Sequence, residues 1–464
     1  MVVSGKSCKL AFQIVFTAMR NWSIVVFVCC VSVQLFGQTA VQSQGSVVKL
    51  SLVKAVEIAL QNNLNIKSSE ISLNNAQLNY QQAKNNQLPG MNANIGQASS
   101  YGRSLNPFTN TYDPRNIDYN NVGLNANLTI FNGGQLKNTI AQNEYTLKAN
   151  AEDLQAIKEN ISLQVVLAYL NILNAEDQLS IAKTQTEITK LQIERTQKLV
   201  NAGSVALTNL LDLKAQLANE ESNVVSFQST LDINRLNLVQ LLNDSSIQLV
   251  ELERIQVPEP NSAAIGVSIK EVYQKAVEIQ PSIKSADFRV LSAGKSVDVA
   301  KGLLMPTLSL GGSWSANQSN ALSIGYFDQL QNTQNKVVSL NLNIPIFSKL
   351  TNKTRISQAN LQKMNAEIEA NRARLTLRQN IEQAHVNMMN SAKKYEASVV
   401  QVSALEESFR ASESKFNAGA IDFVSYSLQK TNLDKAKLTL VQNKYDFVFR
   451  TKILDYYQGK NLTF

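Results

Sequence analysis

Lys198-Leu-Val-Asn-Ala-Gly-Ser-Val-Ala-Leu207 interrupts two long amphipathic segments, and the stretch returns as Ser414-Lys-Phe-Asn-Ala-Gly-Ala-Ile-Asp-Phe423. Asn201-Ala202-Gly203 recurs as Asn417-Ala418-Gly419, a shift of 216 positions (417 − 201). A period this long marks a duplicated domain rather than a solenoid of small units. Working outward, Ile66-Lys67-Ser68 meets Ile283-Lys284-Ser285 and Leu88-Pro89 meets Met305-Pro306, both at 217. One residue is then lost, and Ile130-Phe131 meets Ile346-Phe347 at 216.

Hydrophobic spacing tests that alignment independently. Ile161, Val165, Ala168, Ile172, Ala175 and Leu179 follow the 4-3-4-3-4 spacing of a coiled-coil seam, and 216 positions on stand Leu377, Ile381, Ala384, Met388, Ser391 and Tyr395. Beyond the turn, Leu210, Leu217, Val224, Leu231 and Leu238 recur every seven residues, and their counterparts are Tyr426, Leu433, Leu440, Phe447 and Leu454. Two seams kept in register across the shift predict two antiparallel helical hairpins of one design. The chain therefore divides into a leader over 1–40, a first repeat over 41–250 and a second over 251–464.

The leader is basic at Lys6, Lys9 and Arg20, lacks acids, and carries the apolar run Ile24 to Val31. It reads as a secretory signal, with cleavage expected between Gly37 and Ala40. Cys8, Cys29 and Cys30 are the three cysteines of the chain, so the mature part has no disulfide framework and no thiolate chemistry. Phe27-Val28 is a poor approach to a lipidated cysteine. The formal charge is +8, and three of the cations belong to the leader. The remaining lysines alternate with glutamates along the helices, as on a solvated coiled-coil face, and no basic patch is interleaved with aromatics. Nucleic acid is not an expected partner.

In chain order, Ser51 is placed to cap a short helix ending near Asn62, a second helix runs from about Asn65 to Gln87, and residues up to Val48 are read as unstructured. The period then changes to two. Met91, Ala93 and Ile95 alternate with polar residues, and Val122, Leu124, Ala126, Leu128 and Ile130 oppose Gly123, Asn125, Asn127 and Thr129. The second repeat gives Leu308, Leu310, Gly312 and Trp314, a loop over Ala321 to Gln334, and then Val338, Leu340, Leu342, Ile344 and Ile346. These four strands have the length and one-sided pattern of a transmembrane barrel. Four strands cannot close, and open edges in lipid leave backbone groups unpaired. Two copies would give 8 strands, which side chains tend to fill, whereas three give 12 and leave room for a lumen.

Each strand pair is followed by a helix of roughly 67 residues, about 100 Å at ~1.5 Å per residue. The helix turns at Asn-Ala-Gly, where glycine suits a left-handed cap. Such a hairpin must project from a membrane.

In this order and spacing the residues resemble the outer membrane efflux protein family, the TolC-like channels of Gram-negative bacteria. The resemblance covers about Leu50 to Gly459. Its carriers are the duplication, Pro89 and Pro306 before the strands, Leu128-Thr-Ile-Phe-Asn-Gly-Gly134, Leu342-Asn-Ile-Pro-Ile-Phe347, and the turns at Gly203 and Gly419. It implies a mainly α chain with a transmembrane β-barrel: a homotrimer whose 12-stranded barrel in the outer membrane lipid continues into an α-helical tunnel across the periplasm. It further implies an inner-membrane transporter that supplies energy and a periplasmic adaptor protein that docks on the tips, Gly203-Ser204-Val205 and Gly419-Ala420-Ile421. Cargo, small molecules or polypeptides, would pass unchanged, without cofactor or metal.

The sequence departs from the family pattern in places. Thr129 replaces a proline at the first strand exit, and Lys349-Leu350 replace the double glycine at the second. Family members commonly carry an aspartate six residues after the tip glycine, where this chain has Asn209 and Ser425. Asp212 and Asp422 lie close enough to supply an acidic periplasmic gate instead, or are ordinary solvated residues at helix starts. Enzyme activity is not expected: His385, the only histidine, sits in mid-helix without neighbouring ligands, and Gly133-Gly134 is followed by no phosphate-loop Lys-Ser/Thr. The functional readings are an export duct and, as the alternative, a non-conducting periplasmic coiled-coil scaffold or adaptor.

Overall fold

The duplication is written in the backbone. The computed structural model describes residues 47–460 apart from 103, 106–109, 114–115, 245–246, 248 and 256–267. The leader, its cleavage region and the three cysteines lie outside the described residues. The first repeat runs β1 (Val47–Leu50), α1 (Leu52–Asn62), α2 (Leu64–Asn85), β2 (Gly90–Ser100), β3 (Ser104–Leu105), β4 (Tyr112–Asp113), β5 (Ile117–Asn132), α3 (Gln135–Asn201), α4 (Leu207–Leu242) and β6 (Leu249–Leu252). The second runs α5 (Ile269–Ile279), α6 (Pro281–Gly302), β7 (Thr307–Ser319), α7 (Tyr326–Asn332), β8 (Asn335–Asn343), α8 (Thr351–Asn417) and α9 (Phe423–Tyr457). The long helices α3 and α8 both have 67 residues. Each helix that has a counterpart starts 216 or 217 positions before it.

The expected seams are the packed ones. Ile161, Val165, Ile172, Ala175 and Leu179 are buried, as are Leu377, Ile381, Ala384, Met388 and Ser391. On the return helices Leu210, Leu231 and Leu238 and their counterparts Tyr426, Phe447 and Leu454 are buried too. Packing of these stripes, rather than helix propensity, holds such long helices in place. Ser51 caps α1, its hydroxyl accepting from the Lys54 N–H, and Gly133 and Gly134 lead into α3 with φ of 66° and 79°.

Strands β2, β5, β7 and β8 form one antiparallel sheet in that order. Across it Met91 stands opposite Ala126, Ala126 opposite Gly312 and Gly312 opposite Val338; two residues along, Leu128, Leu310 and Leu340 line up. Opposed residues share a face, so one face is apolar over all four strands. The helices follow the same order. α2 packs on α3, α3 on α6 and α6 on α8, while further from the sheet α4 packs on α3, α3 on α9 and α9 on α8.

Four local differences from the sequence reading each have a physical cause. Residues up to Val48 are not all unstructured, because β1 pairs in parallel with β6 and the Tyr169 hydroxyl on α3 lies within hydrogen-bond reach of the Glu253 and Leu50 carbonyls at the ends of the two strands. Ile130 does not continue the face of Leu128: the register slips between Thr129 and Phe131, and Phe131 pairs with Leu308. Such a bulge bends the strand where it leaves the sheet. Ile344 and Ile346 lie beyond β8, whose ladder stops at Asn343, since Pro345 has no N–H to donate. Finally, the loop over Ala321 to Gln334 contains α7, fixed by Gln329, whose side chain accepts from the Ser319 N–H at 2.8 Å and donates to the Ile324 carbonyl at 2.7 Å.

Candidate functional site

The two tips are built alike. At the end of α3 the Gly203 N–H donates to the Val200 carbonyl at 2.9 Å and the Ser204 N–H to the Leu199 carbonyl at 2.9 Å. At the end of α8 the Gly419 N–H reaches Phe416 at 3.0 Å and the Ala420 N–H reaches Lys415 at 2.9 Å. This double closure satisfies the last carbonyls of each helix and needs a left-handed residue after the cap. Gly203 and Gly419 supply it, with φ of 73° and 71°.

The fold brings the tips together. Ser204, Val205, Asn209, Gly419, Ile421 and Asp422 line one open groove of about 430 Å³, alongside Arg195, Leu199 and Phe416. Gly203, Ala420, Asp212 and Ser425 are exposed beside it but do not line it. Asp422 is the N-cap of α9, and its carboxylate accepts from the Ser425 N–H at 2.8 Å. Hydrogen bonding from Ser425, its side chain first and its backbone N–H second, holds the Asp422 carboxyl below the ordinary carboxylate value. Asp422 is thus both a helix-start residue and part of the groove wall, and its counterpart Ala206 caps α4 without a side-chain bond.

Behind the groove lies an aromatic cluster that the sequence reading missed. Phe416 stacks on Tyr426 with ring centroids 4.7 Å apart, and Phe409 and Phe423 pack around them at 5.5 and 6.3 Å from Tyr426. Leu213 and Ile193 complete the cluster, so all four long helices contribute to it. Burial pushes the Tyr426 phenol up to about 12. The signal was present in Phe409, Phe416 and Phe423, which recur every seven residues through the turn.

The sheet's two faces differ in chemistry. On the apolar face Met91, Ile95, Val338, Leu340 and Leu342 are 61 to 82 % exposed, a contiguous patch that in a water-soluble chain would be covered. From Leu308 to Ala316 this face extends about 26 Å along β7 at ~3.3 Å per residue, close to the ~25 Å apolar band of membrane barrels. The opposite face is a ladder of amides: Asn94 donates to Asn121 at 3.0 Å, Asn125 donates to Asn94 at 3.0 Å and Asn121 donates to Asn317 at 2.7 Å. Among the described residues no helix is long and apolar enough to cross a membrane, and no group of three His, Cys, Asp or Glu could hold a metal ion.

Comparison with known proteins agrees with this geometry. A family model described as Outer membrane efflux protein matches residues 55–244 and 272–450, one segment in each repeat. Outer membrane protein TolC of Salmonella enteritidis is 23 % identical over 369 residues, covering 73 % of this chain and 74 % of that protein. Cation efflux system protein CusC of Escherichia coli (strain K12) is 22 % identical over 396 residues, covering 83 % and 81 %. Among solved structures, the outer membrane protein VceC of Vibrio cholerae superimposes with a TM-score of 0.75 at 15 % identity, covering 89 % of this chain and 97 % of that one.

Proposed function

The chain belongs to the outer membrane efflux protein family, and from that premise we propose that three copies close a 12-stranded barrel in the outer membrane and carry exported molecules through a helical tunnel. The observation that carries the reading is a coincidence of edges. Among the described residues β2 and β8 are each paired on one side only, and the helices flanking them, α2 and α8, are the outer helices of the wall. Both present exposed stripes at coiled-coil spacing: Leu64, Ile71 and Leu78 on α2, and Leu361, Met364, Ile368 and Leu375 on α8. Sheet and wall are therefore open on the same two sides, and a neighbouring copy satisfies both at once. Unpaired strand edges have no place in hydrocarbon, so closure by copies follows once the apolar face meets lipid.

In this reading the amide face lines a wet lumen, cargo passes unchanged, and energy comes from an inner-membrane transporter. The tip groove receives a periplasmic adaptor, as part of a tripartite efflux or type I secretion system for small molecules or polypeptides. Asn209, Asp212, Asp422 and Ser425 encircle the periplasmic opening as its gate. A non-conducting scaffold would leave the exposed apolar face without a purpose. Fractionation and single-channel recording test the proposal. Protein that stays with outer membranes until detergent is added, and that conducts in planar bilayers, is the expected result. Release by osmotic shock, or no conductance even from variants with loosened tips, would count against it.

A further inference from the structure

The four strands of the sheet carry two charged residues, Asp118 and Lys336. Lys336 stands in the row of Ala93, Leu124 and Trp314, and Asp118 is six residues along β5 from Leu124, so both project from the apolar face. Among the described residues the polar face has none. Every row from Gly96, Asn121 and Asn317 at one end to Thr129, Ser309 and Asn341 at the other is free of Asp, Glu, Lys, Arg and His. Composition does not explain this, since 17 % of the chain is charged.

Nor do the amides of that face aim outward as bare dipoles. Asn125 donates to Asn94, Asn94 to Asn121 and Asn121 to Asn317, so Asn94 and Asn121 each spend a donor and their acceptor oxygen within the wall. The side chains also lie flat. A Cβ on Gly123 would fall 2.7 Å from Asn94 Oδ1 and one on Gly311 2.7 Å from Ser339 Oγ, so each polar group rests on the bare backbone of the neighbouring strand. Glycine weakens a strand interior, yet both are kept where they flatten this face. Channels that choose between ions do so with rings of charged side chains or of inward carbonyls. This wall presents neither.

We propose that the strand end of the duct is indifferent to charge, so that anionic cargo passes it on the same terms as cationic cargo. This rests on the proposed duct, and the test is chosen to separate the two. Reversal potentials of the purified protein in planar bilayers, under a potassium chloride gradient, give its cation-to-anion permeability ratio. Salt near 0.1 M confines the reach of a fixed charge to about 10 Å. Ser313 lies in the polar face between Asn125 and Val337. Ser313→Asp should move the ratio toward cations and Ser313→Lys toward anions, by similar factors of at least about two-fold. Asn94→Ser, which removes an amide without adding charge, and Lys336→Gln, on the apolar face, should leave the ratio unchanged. These two judge the wall even where a charge at Ser313 prevents assembly. A shift from either of them, or from only one of the Ser313 variants, would overturn the proposal, because the wall would then already carry an effective charge. No shift from either Ser313 variant in a protein that conducts would overturn it as well, since the sheet would not line the path. Absence of current from the wild type and every variant would instead count against the duct itself.

Discussion

Asn94 stands opposite Gly123 in the ladder between β2 and β5, and a Cβ on Gly123 would lie 2.7 Å from Asn94 Oδ1. The missing side chain lets the Asn94 amide lie flat and bond both Asn121 and Asn125. Glycine here belongs to the construction of the polar face rather than to a turn.

Replacing Gly123 with valine should push the Asn94 amide aside and break both bonds. Overpacking of this kind costs about 1–3 kcal/mol. The sheet should consequently lose its resistance to heat at a lower temperature, read from the shift in gel mobility of unheated and heated protein. Unchanged heat resistance would mean that the amide ladder contributes nothing to the sheet.

Lys349 and Leu350 occupy the places of Gly133 and Gly134 and adopt the same left-handed backbone, with φ of 49° and 63°. A side chain in that region is disfavoured by about 1–2 kcal/mol. Leu350→Gly should therefore raise the denaturant midpoint, by about 0.5–1 kcal/mol once the extra freedom of the unfolded chain is counted. The reciprocal Gly134→Leu should lower it.

Gly203→Ile and Gly419→Ile place β-branched residues where φ is above 70°. No atom lies within 4 Å of either position's Cβ, so the disturbance stays at the tips. Export or drug resistance should fall while detergent-extracted protein keeps its assembly size. Normal export in both variants would remove the tips as docking surfaces.

Lys430 of α9 is buried, and its ammonium donates to Glu220 Oε1 on α4 at 3.0 Å and to Asp434 Oδ2 on α9 at 3.1 Å. Lys430→Met leaves both half-buried carboxylates without their cation and should destabilise the hairpin contact by about 3 kcal/mol, the lower end of the range for a broken buried pair. Lys430→Met combined with Glu220→Gln and Asp434→Asn should recover most of the loss. Burial raises the Asp434 carboxyl above its usual value, against the lowering effect of Lys430. Packing therefore holds that proton more tightly than the free chain does, and its contribution is complete below the ordinary carboxylate range. As pH rises through the raised value that contribution is lost. Denaturation of the wild type across this window, compared with Asp434→Asn, should show a pH-dependent difference on the acid side alone.

Much of this was legible because a duplicated chain carries its own control. The 216-residue shift, the heptad seams and the two-residue alternation each rest on spacing, which a sequence displays directly. The bulge at Thr129–Phe131 was not legible, since Leu128-Thr129-Ile130 keeps the alternation and the apolar pair Ile130-Phe131 reads as a strand end, and only pairing with β7 shows the slip. Parallel pairing of β1 with β6 joins four-residue strands some 200 positions apart, too short to signal. Lys430 reads as one more solvated lysine until Thr189, Glu220 and Asp434 arrive from three helices. The clue was that Asp434 and Glu220 align with alanines, Ala218 and Ala436, in the other repeat. At the tips the glycines were evident from their recurrence, whereas the groove joining them required the two hairpins to lie side by side.

The central claim is that identical neighbours complete what four strands begin, and native mass spectrometry of protein extracted gently from the outer membrane tests it most directly. The account predicts a single species at three times the mass of the mature chain, persisting until the sheet is denatured. A species at the mass of one chain, still folded and still lipid-bound, would contradict it.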